Sequence, residues 1–222
     1  MSLVYPLYQM DLFNCINHNT DMYRVDGFSD EVIVVFLAQL LEALKTLKES
    51  NVIHRDIKPG EKCRAKKAPC LRAAFVSNTT GLSPSSLRLA LLVVALAAEN
   101  VCVDERGNLV LTDFELAING RRNNDDTSPP TTPEESVLVG TTLYIAPETY
   151  RALEYSFKTD LWAVAILTCE LHSAKLPWII HEHMSAEEVG RVIINNRPVK
   201  PLGMSNAVWA FLRKILVLKD LR

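Results

Sequence analysis

The sequence lacks the features that mark secreted, zinc-stabilised or membrane-spanning proteins. Its five cysteines lie far apart and include no Cys-x-x-Cys pair, so neither a disulfide framework nor a zinc site is predicted. The N-terminus has no basic region followed by a long apolar core, and the apolar run 89–98 is about half the length that a membrane span needs. We therefore predict a soluble intracellular protein with free thiols and no membrane partner, located in the cytoplasm, with the nucleus as an open alternative.

Charge of neither sign is in excess. The formal net charge is -2 at pH 7, which gives no reason to expect a nucleic-acid partner. Because 48% of the 222 residues are hydrophobic, the chain can bury the core of one ordinary globular domain.

Hydrophobic periodicity predicts a mainly helical chain. Apolar residues recur at three- and four-residue spacing over residues 30–50, behind a capping Ser29. Residues 161–171 are apolar on nearly every face, which predicts a buried helix. Two amphipathic helices are predicted near residues 186–194 and 206–218.

A hairpin and a loop interrupt the helices. Residues 101–103 and 109–111 are short strand-like runs, and the turn-rich residues between them predict a β-hairpin. Residues 119–136 are polar and rich in proline, which predicts a mobile loop.

Residues 54–59, with the sequence HRDIKP, carry the strongest chemical signal in the chain. They place the acid Asp56 two positions before the cation Lys58, a spacing that suits a phosphoryl-transfer loop. Residues 60–98 then differ in composition, and the pattern resumes at residues 99–100. Joined end to end, the two pieces have the sequence HRDIKP followed by EN.

Further short motifs follow in order: Asp-Phe at 113–114, Gly-Thr at 140–141, Ala-Pro-Glu at 146–148, and Asp160 two positions before Trp162. In this order the motifs make the chain similar to the C-terminal lobe of a eukaryotic serine/threonine protein kinase domain. The run 139–148, together with 214–218, looks closest to phosphoinositide-dependent kinases and their relatives among protein kinases A, G and C. The resemblance covers nearly everything except residues 60–98. It implies a mainly α fold, a helical lobe with a small β-hairpin, in which the N-terminal lobe contributes only its last strand and the hinge.

The resemblance implies a role for each matching residue in transferring the ATP γ-phosphate to protein substrates. Asp56 would accept the proton of the substrate hydroxyl, and Lys58 would neutralise charge on the phosphoryl group, which favours serine and threonine substrates. Asn100 and Asp113 would hold Mg²⁺, which prefers hard oxygen ligands. Thr141 would brace the aspartate and the lysine.

The remaining matching residues are implied to be structural or regulatory: His54, Arg55, Phe114, Glu148, Asp160 and Arg222. Glu148 would pair with Arg222. Arg55 would clamp a phosphate on the loop 119–136, because an arginine fork matches phosphate geometry. The candidate phosphate acceptors in that loop are Thr127, Ser128, Thr131, Thr132 and Ser136.

Each motif taken alone has an ordinary structural explanation. Asp113 fits a turn residue at the end of a strand, and Asp160 fits a helix cap. A histidine beside a loop, such as His54, is usually structural, and the resemblance makes it structural too. The order of the motifs along the chain is what favours the functional interpretation.

Three departures from the family pattern bear on activity. The chain begins close to the hinge, so no glycine-rich loop, strand lysine or helix glutamate precedes it to orient ATP phosphates. Glu115 replaces the glycine after the Asp-Phe pair, which predicts a backbone cost and an extra carboxylate near the metal site. Residues 60–98 separate Asp56 from Asn100, which the chemistry needs within one short loop.

The ends of the inserted residues suggest their origin. A glycine codon followed by Glu61 and Lys62 can encode a GTGAG splice donor, and Ala98 with Glu99 can encode a CAG acceptor. Joining the first base of codon 60 to the last two bases of codon 99 restores a glutamate codon. We therefore predict that residues 60–98 are a translated intron. A genuine insertion is the alternative, because loop-closure entropy grows only slowly with length.

The sequence therefore predicts a partial kinase domain over residues 1–222, with 119–136 as its activation-segment loop. Two alternatives stay open: a pseudokinase or scaffold that binds protein partners through the helical lobe, and a nonfunctional fragment. Glu115 and the missing small lobe favour the scaffold. The four matching residues Asp56, Lys58, Asn100 and Asp113 oppose it.

Overall fold

The computed structural model describes residues 10–11, 27–59, 100–103, 108–120 and 137–217. Within these residues the fold is mainly helical with small antiparallel sheets, which confirms the predicted class. The strands are β1 (Met10–Asp11), β2 (Val52–Ile53), β3 (Val101–Val103), β4 (Leu109–Leu111) and β5 (Ile118–Asn119). The helices are α1 (Asp30–Glu49), α2 (Pro147–Ala152), α3 (Phe157–Ser173), α4 (Ala186–Asn195) and α5 (Asn206–Ile215), with a 3₁₀ turn at Thr142–Tyr144. No helix among the described residues is both long and apolar enough to cross a membrane.

Helix α1 forms where the apolar periodicity predicted it. Its buried side chains are Val32, Ile33, Phe36, Leu37 and Leu40. The predicted cap is wrong in its chemistry, because Ser29 holds the N-cap position without a capping hydrogen bond from its side chain. The acidic residues Asp30 and Glu31 still lie in the first turn, where they favour the positive end of the helix dipole.

The two small sheets set the position of the site. Strands β3 and β4 form the predicted antiparallel hairpin, and β1 extends it by pairing with β3. In the second sheet, Val52 of β2 lies opposite Asn119 of β5, and Ile53 lies opposite Ile118. Because β5 follows β4 closely, this pairing draws residues 112–117 alongside the segment that follows β2.

Helix α3 is the centre of the core. Every residue from 163 to 169 is buried, in agreement with the apolar sequence 161–171. Ser156 caps the helix: its hydroxyl accepts a hydrogen bond from the Lys158 backbone N–H at 3.2 Å, and its own backbone N–H donates to the Thr159 hydroxyl at 3.2 Å. Reciprocal bonds of this kind satisfy the free amides of a helix start.

The C-terminal end of α3 is tied to two other helices. His172 Nε2 lies 3.2 Å from Asp30 Oδ1, at the start of α1. Asp30 Oδ2 accepts a hydrogen bond at 2.9 Å from the backbone N–H of Ser205, which caps α5. The prediction for α4 was close, whereas α5 ends at Ile215 and the predicted end at Leu218 lies outside the described residues.

Candidate active site

Several segments of the chain converge on Asp56. Its Oδ1 atom accepts hydrogen bonds from the Thr141 backbone N–H at 2.8 Å and from the Thr141 hydroxyl at 2.7 Å. Its Oδ2 atom accepts a hydrogen bond from the Asn100 side-chain amide at 2.8 Å. The partners are 44 and 85 positions away in sequence, so the tertiary fold, and not local structure, fixes the orientation of this carboxylate.

Lys58 supplies a cation beside the carboxylate. Its Nζ atom lies 3.5 Å from Asp56 Oδ2, and the two side chains are only 13% and 11% exposed. Charges that are largely withdrawn from water interact more strongly than exposed charges at the same distance. The structure therefore brings Asp56, Lys58, Asn100 and Thr141 together in one partly buried cluster.

The two polar atoms of the Asn100 side chain differ in their hydrogen bonding. Its Nδ2 group donates to the Asp56 backbone carbonyl at 2.6 Å and to the Asp56 carboxylate, which assigns the orientation of the amide. The Oδ1 atom is buried and has no hydrogen-bond partner among the residues that the structure describes. A buried acceptor left in this state costs about 1–3 kcal/mol. Since Mg²⁺ prefers hard oxygen ligands, Asn100 Oδ1 fits a magnesium ion.

Asp113 is held close to this loop by its neighbour. The Thr112 backbone N–H donates to the Asn100 carbonyl at 3.0 Å. Asp113 itself is exposed and has a left-handed backbone, with φ of 57°. Such a conformation costs a residue with a side chain about 1–3 kcal/mol and is concentrated at functional sites. The fold therefore keeps Asp113 in a strained backbone conformation next to the loop that carries Asn100.

Asp160 braces the loop from beneath. Its two carboxylate oxygens accept the backbone N–H groups of His54 at 2.7 Å and Arg55 at 2.9 Å. Burial raises the pKa of this carboxyl, and the two amides act in the opposite direction. The alternative that Asp160 is a helix cap is wrong, because Ser156 caps α3. Asp160 instead binds the backbone of Arg55, which has a left-handed conformation with φ of 72°.

The buried His54 side chain links the loop to the segment after β4. The Asp56 backbone N–H donates to His54 Nδ1 at 3.3 Å, so Nε2 carries the proton that is shared with the Thr112 carbonyl at 3.0 Å. The imidazole also contacts the Phe114 ring, with 4.8 Å between the ring centroids. His54 therefore has a structural role, which fixes the spacing between Asp56 and Asp113.

Gly140 allows the closest backbone approach in the site. Its φ is 98°, and a Cβ atom built on it would lie 2.5 Å from the Arg55 carbonyl oxygen. No side chain fits at that distance. The glycine lets the chain pass over Arg55 so that Thr141, the next residue, reaches the Asp56 carboxylate.

The expected backbone cost at Glu115 is not found. The left-handed residue in this turn is Asp113, and Glu115 has no positive φ. The Glu115 backbone N–H lies 3.4 Å from Asp113 Oδ1, a long hydrogen bond, and its side chain is exposed. Phe114 is 44% exposed. The predicted backbone cost at Glu115 was wrong, because the residue of this turn with a left-handed backbone is Asp113, two positions earlier.

Some sequence predictions cannot be compared with the structure. Glu148 is buried in the first turn of α2, but its expected partner Arg222 lies outside the described residues. The inserted residues 60–98 and most of the loop 119–136, with all of its candidate phosphate acceptors, lie outside them as well.

Sequence reasoning missed two tyrosines that support the site. The Tyr144 hydroxyl donates to Glu170 Oε2 on α3, and burial raises the pKa of both groups. The Tyr155 hydroxyl accepts the Val139 N–H at 2.7 Å, and its ring lies under the Arg55 guanidinium at 4.9 Å. Glu170 had a detectable signal, because it is the single acidic residue within the apolar sequence 161–171, whereas Tyr155 had none.

Comparison with known proteins shows the family to which the chain belongs. The family model described as "Protein kinase domain" matches residues 95–220. The curated "Serine/threonine-protein kinase AtPK1/AtPK6" of Arabidopsis thaliana is 25% identical over 213 residues, which is 96% of this chain and 35% of that protein. "Serine/threonine-protein kinase 32C" of Homo sapiens is 24% identical over 197 residues, or 85% of this chain and 30% of that protein.

A third relative is more similar over a shorter stretch. "Serine/threonine-protein kinase atg1" of Aspergillus clavatus is 32% identical over 159 residues, which is 71% of this chain and 16% of that protein. The chain thus spans about a third or less of the length of these curated relatives. None of these comparisons confirms the predicted tie to the protein kinase A, G and C group, which stays a prediction.

Proposed function

The chain belongs to the protein kinase domain family, and on this premise we propose that it carries the catalytic loop of a serine/threonine protein kinase. The reaction is transfer of the ATP γ-phosphate to serine or threonine hydroxyls of protein substrates. The family uses ATP and Mg²⁺, and the curated relatives are serine/threonine kinases by name. One observation carries the proposal: Asp56 is hydrogen-bonded to both Asn100 and Thr141 although residues 60–98 interrupt the motif.

In this proposal Asp56 accepts the proton of the substrate hydroxyl. An ionised carboxylate is purely an acceptor, and the three hydrogen bonds from Asn100 and Thr141 hold it in one orientation. Lys58, with Nζ 3.5 Å away, stabilises negative charge on the transferring phosphoryl group. Positioning and charge stabilisation of this kind supply most of the catalysis in phosphoryl transfer.

Asn100 and Asp113 hold Mg²⁺ in this proposal. Asn100 Oδ1, which has no partner within the described part of the chain, and the exposed carboxylate of Asp113 are the hard oxygens that this ion prefers. When bound, magnesium neutralises negative charge on the nucleotide phosphates. The partners are protein substrates, and the proposed location is the cytoplasm.

A second candidate is a noncatalytic partner-binding lobe. Glu115 favours it, because its exposed carboxylate lies two positions from Asp113 and its backbone N–H is near Asp113 Oδ1. An extra negative charge there competes with Asp113 for magnesium or alters how the ion binds. The two candidates differ in whether phosphate is transferred, not in the fold.

The deciding experiment is transfer of labelled γ-phosphate from ATP to a mixed protein substrate by the purified product of the full-length transcript. We expect transfer by that protein, and a loss of about 100-fold or more in its Asp56→Asn variant, because a positioned base contributes that much. Glu187→Gln, which removes a distant exposed carboxylate on α4, is the matched control. A folded protein that binds magnesium and a fluorescent ATP analogue without any transfer supports the noncatalytic candidate.

We also propose that residues 60–98 are a translated intron. The proposal is supported by the hydrogen bond of 2.6 Å between Asn100 Nδ2 and the Asp56 carbonyl, which joins the two sides of the interruption into one site. Sequencing the transcript across codons 59–100 tests it. A mature message that retains the insert, or a gene without splice dinucleotides at these points, contradicts it.

A further inference from the structure

A groove of about 670 Å³ lies between α3, the end of α4 and α5. The three tryptophans of the chain, Trp162, Trp178 and Trp209, all line it. Trp162 and Trp178 stack with 5.8 Å between their ring centroids, and Trp178 Nε1 donates to the Asn196 carbonyl at 3.1 Å. These two rings belong to the buried core, with 2% and 6% of their surface exposed, whereas Trp209 is only half-buried. Trp209 is therefore the tryptophan that a ligand in the groove can reach. None of the proposed catalytic residues lines this groove.

The polar part of the groove is cationic. Its lining includes Arg197, Lys200 and Arg213, and no aspartate or glutamate among the described residues. Lys200 Nζ donates to Asn206 Oδ1 at 2.7 Å, which anchors one of the three cations. The exposed side chains of Arg197 and Arg213 add planar groups that match carboxylates in a bidentate geometry. The charge of the groove is thus complementary to an acidic ligand.

Exposed apolar side chains lie on the two loops that contribute Trp178 and Lys200 to the groove. Ile179 is 80% exposed, Val199 is 66% exposed and Leu202 is 93% exposed. The Val199 backbone N–H donates to the Pro177 carbonyl at 2.8 Å, which ties the two loops together. A small ligand in the groove would leave these side chains in water, whereas a polypeptide segment can cover them.

We propose that this groove docks an acidic segment of a partner protein. An aromatic or aliphatic side chain of that segment packs against Trp209, and flanking carboxylates bind Arg197 and Arg213. Tryptophan and arginine are the residues that most often dominate binding at protein interfaces. The docking site is separate from the Asp56 cluster, so it stands whether or not the chain transfers phosphate.

The test uses the tryptophans themselves as reporters. The intact chain is titrated with the peptide Asp-Glu-Phe-Asp-Glu-Leu-Asp-Glu while intrinsic tryptophan fluorescence is recorded. We expect a saturable spectral change that weakens as salt is raised, because the steering charges are exposed. Two control peptides, one with amides in place of the carboxylates and one with serine in place of phenylalanine and leucine, should each bind more weakly.

Matched variants locate the binding. Arg213→Glu should weaken the peptide by about tenfold or more, because it places a like charge against the carboxylates. Lys214→Glu changes the charge of the neighbouring exposed residue, which does not line the groove, and should have an effect of less than about threefold. Arg197→Glu places the same like charge at another lining residue and should also weaken the peptide.

Three results overturn the proposal. The first is equal binding of the acidic, amide and serine peptides. The second is an equal loss of affinity in Arg213→Glu and Lys214→Glu. The third is the absence of any fluorescence change, including the case in which the residues after Val217 or a second copy of the chain already fill the groove.

Discussion

The Asp56 cluster and the tryptophan groove are both built on helix α3. Asp160, which braces the cluster, and Trp162, which lines the groove, are two positions apart and therefore point to nearly opposite faces of the helix. The cluster is built from hydrogen bonds to backbone groups, with left-handed residues at Arg55 and Asp113. The groove is built from ring surfaces and cations on two helices and the loops beside them. One helix thus supports two different sites on two faces: the polar Asp56 cluster, which includes strained backbone, and the groove of tryptophans and cations.

The largest expected effect is on phosphate transfer, when Asn100 in the Asp56 cluster is replaced. Asn100→Ala removes two hydrogen bonds to Asp56 and the proposed magnesium ligand, so phosphate transfer at fixed magnesium should fall by about 100-fold or more. A magnesium titration of transfer measures it. Asn100→Asp, which keeps an oxygen ligand without the amide donor, should retain more magnesium affinity than Asn100→Ala. Equal magnesium dependence in both variants would contradict the ligand role.

Gly140→Ala should have the next largest effect. The added Cβ would lie 2.5 Å from the Arg55 carbonyl at a left-handed φ, so the segment must move. We expect a destabilisation of about 1–3 kcal/mol in chemical denaturation, with loss of transfer because Thr141 shifts away from Asp56. Gly203→Ala is the matched control, since it also has a positive φ but its nearest neighbour would be 3.8 Å away. Equal destabilisation in the two variants would show that the close approach is unimportant.

The far end of α3 should give a smaller, pH-dependent effect. Burial lowers the pKa of His172, although Asp30 raises it. The unfolded chain, with a histidine pKa of about 6.5, therefore takes up the proton first as the pH falls. The free energy of unfolding should decrease below about pH 6.5, by at most about 1.4 kcal/mol per pH unit, until His172 is protonated in the folded state. Denaturation curves of the original chain and His172→Asn between pH 5 and pH 8 measure the difference in the pH slope of the free energy of unfolding, which should vanish at the upper end.

The smallest expected effect tests whether the groove and the Asp56 cluster are independent of each other. Arg213→Glu, on the exposed rim of the groove, should change neither phosphate transfer nor the free energy of unfolding by more than about 0.5 kcal/mol. Transfer assays and denaturation curves on the same preparation test this. A large loss of transfer would mean that the two faces of α3 are coupled.

The sequence predicted the polar site better than the groove, for a physical reason. Asp56, Lys58, Asn100, Asp113 and Thr141 lie in short motifs, because the proposed reaction requires those residue types in a fixed order. The tryptophans come from two helices and a loop without any periodic pattern, so only the tertiary fold unites them.

Helices α1 and α4 were predicted closely because their apolar spacing is regular, and α3 because its sequence is apolar on nearly every face.

The failures also have local causes. The cap at Ser29 was predicted from residue type, but its side chain makes no capping bond to the helix. The strain expected at Glu115 lies at Asp113, because backbone geometry within a turn is not determined by a single missing glycine. Tyr155 could not be found at all, since a tyrosine that holds Val139 and Arg55 leaves no local pattern.

The contact between Asp56 and Asn100 has a further consequence for the order of folding. In this chain the pair is 44 positions apart, whereas without residues 60–98 it would belong to one short loop. Contacts between distant positions form late, because chain entropy must be lost before the contact stabilises anything. Helix α1 and the hairpin of β3 and β4 can therefore form while the loop between them is still open. Closing the Asp56 cluster therefore costs more chain entropy in this chain than it would in a chain without residues 60–98.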